Sequence, residues 1–152
     1  AKDDEILDKK IKIFKTNRGG KITLHNPGQK IVYFVINLNN RKRDIRKLIS
    51  LVELSVLEFL KIYKIKGNVD RKNIGIWTKN KKISAIGIKI KKWIAYHGCS
   101  ININNDLSAY KKIIPCGLSN KNITSLKNLG VKKIINLNKN IKDVFIKNLS
   151  KI

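Results

Sequence analysis

The sequence contains no methionine, only two cysteines and two prolines, and no long apolar run among its 152 residues. Because methionine is absent, we expect that Ala1 is not a native translational start and that the chain is a fragment or a processed form. A helix that spans a bilayer would need about 18 consecutive apolar residues. The acidic residues 1–5 differ from the basic start and apolar middle of a secretion signal. We therefore expect a cytoplasmic protein that does not bind membranes.

The two cysteines leave two structural alternatives open. Cys99 and Cys116 could pair, although cytoplasmic proteins usually keep their thiols reduced. With His25 and His97 they also supply the ligand types of a tetrahedral zinc site. The spacing argues against zinc, because structural sites usually contain close ligand pairs and only His97 and Cys99 are near neighbours. We expect no metal.

Acidic residues are scarce: 10 Asp and Glu stand against 34 Lys and Arg, which gives a net charge of +24. Such a charge would ordinarily indicate nucleic acid, an anionic membrane or an acidic protein partner. However, lysine, isoleucine and asparagine, whose codons are rich in A and T, together make up 74 of the 152 residues. The aromatic residues also do not interleave with the basic ones as stacking platforms would. We therefore expect a solvated basic surface and no nucleic-acid partner.

Hydrophobic periodicity indicates one domain of alternating strands and helices, without a linker or an internal repeat. The predicted strands contain β-branched or alternating apolar residues and cover residues 31–38, 74–78, 82–90, 93–97 and 100–103. Residues 79–81, between the second and third of these strands, resemble a hairpin turn.

Helical spacing of apolar residues predicts an amphipathic helix over residues 43–63 and a terminal helix over residues 141–149. Thr124 and Ser125 can cap a short helix that Gly130 closes. The sum is an α/β fold of the α+β type, with a mixed, partly antiparallel sheet flanked by helices.

Four short segments stand out against the isoleucine, lysine and asparagine that fill the rest of the chain. They are Arg18-Gly19-Gly20-Lys21-Ile22-Thr23-Leu24-His25, Lys82-Ile83-Ser84-Ala85-Ile86-Gly87, His97-Gly98-Cys99-Ser100-Ile101-Asn102 and Pro115-Cys116-Gly117. The adjacent glycines of the first segment permit a tight backbone path beside a ligand, but they form neither a dinucleotide fingerprint nor a P-loop. A turn without a ligand is the alternative.

Cys116 is a candidate nucleophile. Pro115 stiffens the chain before it, while Gly117 permits close approach of the backbone and leaves an N–H free to point at a developing oxyanion. A thiolate is the reactive form, so such a cysteine needs a nearby cation, dipole or base. The alternative is that Cys116 is a small buried hydrophobic residue.

Lys82 is a candidate activator of this cysteine. It begins an apolar strand in which Ile83 and Ile86 can partly desolvate the amine, as a general base requires. The residues alone do not distinguish it from Lys81 or Lys89, and a solvated lysine at a strand end is the alternative.

In their fixed order, the four segments resemble the lipoyl(octanoyl) transferases, which share the fold of the biotin and lipoate protein ligases. The resemblance covers roughly residues 8–126. The family places its catalytic lysine directly before an Ile-small-small-aliphatic-Gly segment, as Lys82 precedes residues 83–87 here. Its usual His-Gly-Pro-Gly-Gln appears at residues 25–29, with Asn26 in place of the first glycine. Family members typically carry a further N-terminal segment, so we expect residues 1–152 to be a single catalytic domain that lacks it.

The resemblance implies an acyltransferase of endogenous protein lipoylation. Cys116 would take the octanoyl group of octanoyl-acyl carrier protein as a thioester, with Lys82 managing the proton. The group would then pass to a lysine of a lipoyl domain of a 2-oxoacid dehydrogenase or of glycine cleavage H protein. No cofactor is implied, and we expect a monomer.

The resemblance also implies a substrate pocket. Its predicted residues are Arg18, Gly19, Gly20, Lys21, Ile22, Thr23, Leu24, His25, Ala85, Ile86, Gly87, Gly98, Cys99 and Ser100. Cys99 stands where the family has an aliphatic residue, so we expect it to pack and not to act as a second nucleophile.

Two other functional classes remain. An ATP-dependent lipoate ligase of the same fold would not need Cys116 as a nucleophile, so the Pro115-Cys116-Gly117 segment disfavours it. A noncatalytic relic or basic binding module would show no acylation. If the protein is a transferase, its basic surface could speed encounter with acidic carrier proteins.

Overall fold

The computed structural model describes residues 6–8, 12–14, 16–19, 22–113 and 122–152. The strands are β1 (Gln29–Asn37), β2 (Asn68–Val69), β3 (Ile76–Thr78), β4 (Lys81–Lys91) and β5 (Ile94–Asn102). The helices are α1 (Ile45–Ile62), between β1 and β2, and α2 (Leu137–Leu149), after β5. Two short 3-10 helices cover Leu107–Lys112 and Lys127–Leu129.

The strands form one sheet in the order β1-β5-β4-β3-β2, and all four neighbouring pairs are antiparallel. A parallel bridge joins Lys82 of β4 to Ile123. This arrangement confirms the predicted α+β fold with a mixed, partly antiparallel sheet. Within the described part of the chain, no helix is long and apolar enough to cross a membrane.

Both helices contribute to one core with the sheet. The buried residues of this core are Val52, Val56, Phe59 and Leu60 of α1, Ile141 and Phe145 of α2, and the sheet and loop residues Ile76, Ile83, Cys99, Ile101, Ile103 and Leu126. A smaller cluster contains Ile36, Leu38, Leu48 and Ala95. The helices thus cover one face of the sheet, and Arg18 and Gly19 lie against Gly87 and Ile88 on the other.

Helix α1 begins and ends close to its predicted bounds. Asp44 caps it, because its carboxylate accepts a hydrogen bond from the Lys47 amide at 2.8 Å, an interaction worth about 1 kcal/mol. Its buried stripe follows the 3.6-residue period and contains Leu48, Leu51, Val52, Ser55, Val56, Phe59 and Leu60. The helix ends where the Tyr63 amide bonds to the Leu60 carbonyl at 3.0 Å.

Two tight turns connect β3 to β4 and β4 to β5. Lys79 and Asn80 have φ of 48° and 59°, the left-handed pair of a two-residue hairpin turn, which confirms the turn predicted there. Lys92 and Trp93 form the second turn with φ of 50° and 62°. The Asn39 side-chain amide supports it by donating to the Lys92 carbonyl at 3.0 Å.

The structure differs from the sequence prediction at several elements. Residues 93–97 and 100–103 were expected as separate strands, but residues 94–102 form the single strand β5, with Trp93 in the preceding turn and Ile103 after the strand. Helix α2 begins at Leu137, earlier than expected, and β2 and the 3-10 helix Leu107–Lys112 were not predicted. The short helix before Gly130 is confirmed as a 3-10 turn: the Ser125 hydroxyl accepts from the Asn128 amide at 3.2 Å, and Gly130 has a φ of 90°.

Candidate active site

The β4–β5 pairing brings two of the predicted segments side by side. The opposed pairs are Ala85 with Ser100, Ile86 with Cys99 and Gly87 with Gly98. Ile86 and Cys99 pack in the core beneath the helices. Because side chains alternate along a strand, Ala85, Gly87 and Ser100 lie on the opposite face. This open face therefore carries only small residues at the centre of the two strands.

The segment containing Arg18 and Gly19 crosses the same face. A Cβ added to Gly87 would lie 3.2 Å from the Gly19 carbonyl oxygen, and one added to Gly19 would lie 2.6 Å from the Ile88 carbonyl oxygen. The Arg18 guanidinium donates to the Gly19 carbonyl at 2.9 Å. Arg18 and Gly19 of the first segment are thus neighbours of Gly87 in the second, and the backbones approach closely because the two glycines lack side chains.

A polar network anchors the loop that follows this segment. His25 is exposed, and its Nδ1 lies 2.6 Å from the Gln29 Oε1. The Gln29 side-chain amide donates to Asn102 Oδ1 at 2.8 Å and to the Tyr110 hydroxyl oxygen at 2.9 Å. Asn102 in turn donates to the Thr124 carbonyl at 3.0 Å. The network joins the loop, the end of β5 and the chain at Thr124.

Asn26 fits this loop without the glycine that the family uses. Its side-chain amide donates to the Asp106 carbonyl at 2.7 Å, and its Oδ1 accepts from Asn105 at 3.1 Å. The left-handed residue is Gly28, with φ of 86°. The exchange to asparagine therefore needs no strained backbone and adds two hydrogen bonds.

Lys82 is the buried lysine of the candidate site, with 8% of its surface exposed. Among the residues that the structure describes, it is the only buried charged residue, and its Nζ has no hydrogen-bond or ion-pair partner there. The Nζ lies 5.7 Å from the centroid of the Trp77 ring, and such a cation–π contact contributes about 0.5–2 kcal/mol. A lysine held away from bulk water without a carboxylate partner keeps its amine available to a substrate.

A β-bulge distinguishes Lys82 from its neighbours. Ile76 pairs with Ser84, whereas Trp77 pairs with Lys82, so the register slips by one and Ile83 is the extra residue. Bulges re-aim side chains next to functional sites. Here Ile83 enters the core, Lys82 is buried against Trp77, and Lys81 and Lys89 remain exposed. Exposure thus separates three lysines that the residues alone, without the family motif, did not distinguish.

The chain that follows Cys116 returns to Lys82. The Thr124 amide donates to the Lys82 carbonyl at 3.0 Å, next to the bridge between Lys82 and Ile123. Cys116 itself lies outside the described residues, as do Pro115, Gly117, Gly20 and Lys21. The roles expected for these residues stay predictions.

The Cys99 thiol is buried in the core, with 5% of the residue exposed. Burial raises the pKa of Cys99 to about 12, so the thiol stays protonated at neutral pH and is a poor nucleophile. This placement agrees with the packing role expected for it. Only the backbone of Cys99 can contribute to a pocket on the opposite face.

The Cys99 pKa has a measurable consequence. Because the thiol loses its proton near pH 9.0 only in the unfolded chain, its contribution to stability is present below pH 9 and is lost as pH rises toward 12. Between pH 8 and pH 10 we expect the wild type to lose about 1.4 kcal/mol more unfolding free energy than Cys99→Val. Urea titrations at both pH values measure this difference, and equal losses in the two proteins would contradict the burial of the thiol.

Both histidines bind amide side chains, which argues against the zinc alternative. His25 contacts Gln29, and His97 Nε2 lies 2.8 Å from Asn17 Oδ1. Within the described ranges, no three His, Cys, Asp or Glu side chains gather as a metal site would require.

Sequence analysis did not select Gly75 and Trp77, which surround Lys82. The available signal was an isolated glycine at the start of a strand, which often marks a bulge or a close backbone approach.

An apolar groove between β1 and α2, lined in part by Val32, Phe34 and Phe145, contains none of the predicted site residues.

Comparisons with known proteins agree with this architecture. A sequence profile described as the lipoyl protein ligase A/B catalytic domain matches residues 2–149. An octanoyltransferase of Wolbachia sp. subsp. Brugia malayi is 45% identical over 137 residues, which cover 87% of this chain and 67% of that protein. An octanoyltransferase of Rickettsia rickettsii is 41% identical over 138 residues, which cover 86% of this chain and 66% of that protein.

Solved structures show the same fold. Biotin protein ligase from Aquifex aeolicus, in complex with biotin and ATP, superposes with a TM-score of 0.67 at 20% identity, covering 88% of this chain and 56% of that one. The chain thus spans about two thirds of the curated relatives and about half of this ligase. The matching profile, the identity to curated relatives and the shared fold lead to one conclusion: the chain belongs to the lipoyl protein ligase A/B catalytic domain family.

Proposed function

We propose that this protein is an octanoyltransferase, which moves an octanoyl group from acyl carrier protein to a lysine of lipoate-dependent enzyme subunits. The observation that carries the proposal is that Lys82 is buried and that its carbonyl accepts a hydrogen bond from Thr124, in the chain that follows Cys116. Similarity to curated octanoyltransferases supports the choice of acyl group. No cofactor is part of this proposal, and we expect the protein to act in the cytoplasm as a monomer.

The first step forms an acyl-enzyme. Lys82 takes the proton of the Cys116 thiol, and the thiolate attacks the carbonyl carbon of the octanoyl thioester. A new C–S bond forms to Cys116, and the C–S bond to the carrier breaks. Lys82 then gives its proton to the departing carrier thiolate and returns to the neutral form.

The second step transfers the acyl group to nitrogen. The neutral amine of the target lysine attacks the Cys116 thioester, a C–N bond forms, and the Cys116 thiolate leaves. Lys82 accepts the excess proton from nitrogen and returns it to Cys116. The product is an amide, and the enzyme recovers its starting protonation.

The open face of β4 and β5 offers a path for the acyl chain. Ala85, Gly87 and Ser100 carry small side chains or none on this face, and Arg18 and Gly19 cross over Gly87. Lys82 and Gly87 are five positions apart along β4, about 16 Å at ~3.3 Å per residue. We therefore place the reacting carbonyl near Lys82 and the acyl chain toward Gly87, with residues 20–25 completing the pocket.

A transfer assay tests this function. The protein is mixed with octanoyl-acyl carrier protein and an unmodified lipoyl domain in EDTA without ATP, and the lipoyl domain is followed by mass spectrometry. A parallel reaction contains free octanoate, ATP and Mg²⁺. We expect octanoylation only in the first reaction. Product only in the second would establish the ligase alternative, and no product in either from a folded protein would favour a noncatalytic module.

Charge should also affect the encounter. The chain carries a net charge of +24, and acyl carrier proteins and lipoyl domains are commonly acidic. We expect kcat/KM for octanoyl-acyl carrier protein to fall severalfold between 50 and 300 mM salt, with little change in kcat. An unchanged kcat/KM would exclude electrostatic steering.

A further inference from the structure

We infer that Gly75 and Trp77 are positioning residues that hold the Lys82 amine for acyl transfer. This assignment rests on the proposed function and extends it to two residues outside the four motif segments. Both residues lie close to the end of the Lys82 side chain, at the β-bulge between β3 and β4. They act through Lys82 and need not touch the substrate.

Gly75 closes one side of the lysine stem with its backbone. Its φ of 139° lies in the region that favours glycine. A Cβ added there would lie 2.5 Å from Lys82 Cε and 3.2 Å from Lys82 Nζ, and it would also overlap the Ser84 carbonyl oxygen. A side chain at position 75 would therefore displace the end of Lys82.

Trp77 faces the same amine with its ring. Only 7% of Trp77 is exposed, and its centroid lies 5.7 Å from Lys82 Nζ. The indole N–H donates to the Asn73 carbonyl at 2.9 Å. Asn73 is held in turn by Asp70, whose carboxylate accepts from the Asn73 side-chain amide at 2.9 Å. The orientation of the ring is thus fixed by a turn outside the sheet.

This environment differs from an ion pair in a way that suits proton transfer. The face of an indole ring attracts the ammonium form but has no site that could accept its proton. A carboxylate at the same place would trap the lysine in a salt bridge. The ring and the Gly75 backbone thus hold the amine in place and leave its proton to the reacting groups.

The experiment compares Trp77→Leu, Trp77→Phe and Gly75→Ala with the unsubstituted protein. Trp93→Leu is the matched control, because the Trp93 ring also faces a cation, the Arg43 guanidinium at 5.2 Å, but lies in the turn at the far end of β4. Two readouts are taken. One is kcat and KM for octanoyl transfer, and the other is trace acetylation with acetic anhydride, measured by mass spectrometry as the ratio of Lys82 to Lys81.

We expect Trp77→Leu and Gly75→Ala to lower kcat by about 10- to 100-fold with KM changed less than about twofold. In Trp77→Leu the acetylation ratio should rise about fivefold, because the Lys82 amine loses its contact with the ring face and becomes more exposed to solvent and to the reagent. Trp77→Phe should retain most of both properties, since a phenyl face remains. Trp93→Leu should match the unsubstituted protein.

An unchanged ratio and kcat in a folded Trp77→Leu would overturn the inference. Equal losses in Trp77→Leu and Trp93→Leu would do so as well, since they would reveal a general loss of stability. The acetylation ratio does not depend on octanoyl transfer by the protein. If the unsubstituted protein transfers no octanoyl group, the proposed function fails, while the ratio still shows whether the two residues hold Lys82.

Discussion

Replacing Lys82 with methionine is expected to lower octanoyl transfer by about 10²- to 10⁴-fold without lowering the melting temperature. Methionine has a similar length and fills the space beside Trp77, but it cannot move a proton. The Lys82 amine has no ion-pair partner among the described residues, so replacing it with a thioether removes the cost of burying a polar group. We therefore expect this variant to lose activity while it keeps its stability.

Two further variants sharpen the Lys82 prediction. Lys81→Met alters an exposed lysine at the start of the same strand and should leave the rate within about twofold. Lys82→Arg keeps a cation but provides no neutral base, since arginine stays protonated in proteins. Rates are measured by the transfer assay and folding by thermal melting. Full activity of Lys82→Arg would show that Lys82 acts through its charge, and full activity of Lys82→Met would remove it from the mechanism.

Gly98→Ala is expected to destabilise the protein by about 3 kcal/mol or more. Gly98 lies in β5, between β1 and β4 in the sheet. A Cβ at this position would overlap the Val32 carbonyl oxygen of β1 and lie 3.3 Å from the Phe34 ring. Backbone cannot yield as a flexible side chain can, so the two strands would have to separate. A chain of this size should then melt about 6–12 °C lower.

Gly130→Ala provides the control for Gly98→Ala. Gly130 has a φ of 90°, and an added Cβ would meet nothing within 4 Å, so only the conformational cost of about 1–2 kcal/mol applies. Differential scanning calorimetry of both variants separates the two effects. If Gly98→Ala melted no lower than Gly130→Ala, the close approach of β1 and β5 would not be the reason for glycine at position 98.

The elements with strong periodicity could be predicted from the sequence, and the irregular ones could not. The apolar stripe of α1 and the continuous apolar run of β1 are each long enough that single residues that depart from the pattern do not hide it. The turn at Lys92 and Trp93 carries no glycine, asparagine or proline, and two left-handed residues are unfavourable there without outside support. That support comes from Asn39, 53 residues away in sequence, which no local pattern reveals.

Some features of the candidate site could likewise be predicted from the sequence, and others could not. Motif order was enough to select Lys82 and to group Arg18 and Gly19 with Gly87. The bulge at Ile83 depends on how β3 pairs with β4, so burial of Lys82 against Trp77 could not be predicted from spacing. The hydrogen bonds of Asn26 likewise come from residues that lie far along the chain.

Intact mass spectrometry of the protein after incubation with octanoyl-acyl carrier protein tests the central claim most directly. The mechanism predicts one octanoyl adduct, released by hydroxylamine as expected for a thioester and absent from Cys116→Ser. Cys99→Val should still form it, because the Cys99 thiol is buried in the core. The mechanism would be contradicted if the folded protein formed no adduct. It would also be contradicted if Cys116→Ser formed the adduct as well as the unsubstituted protein does.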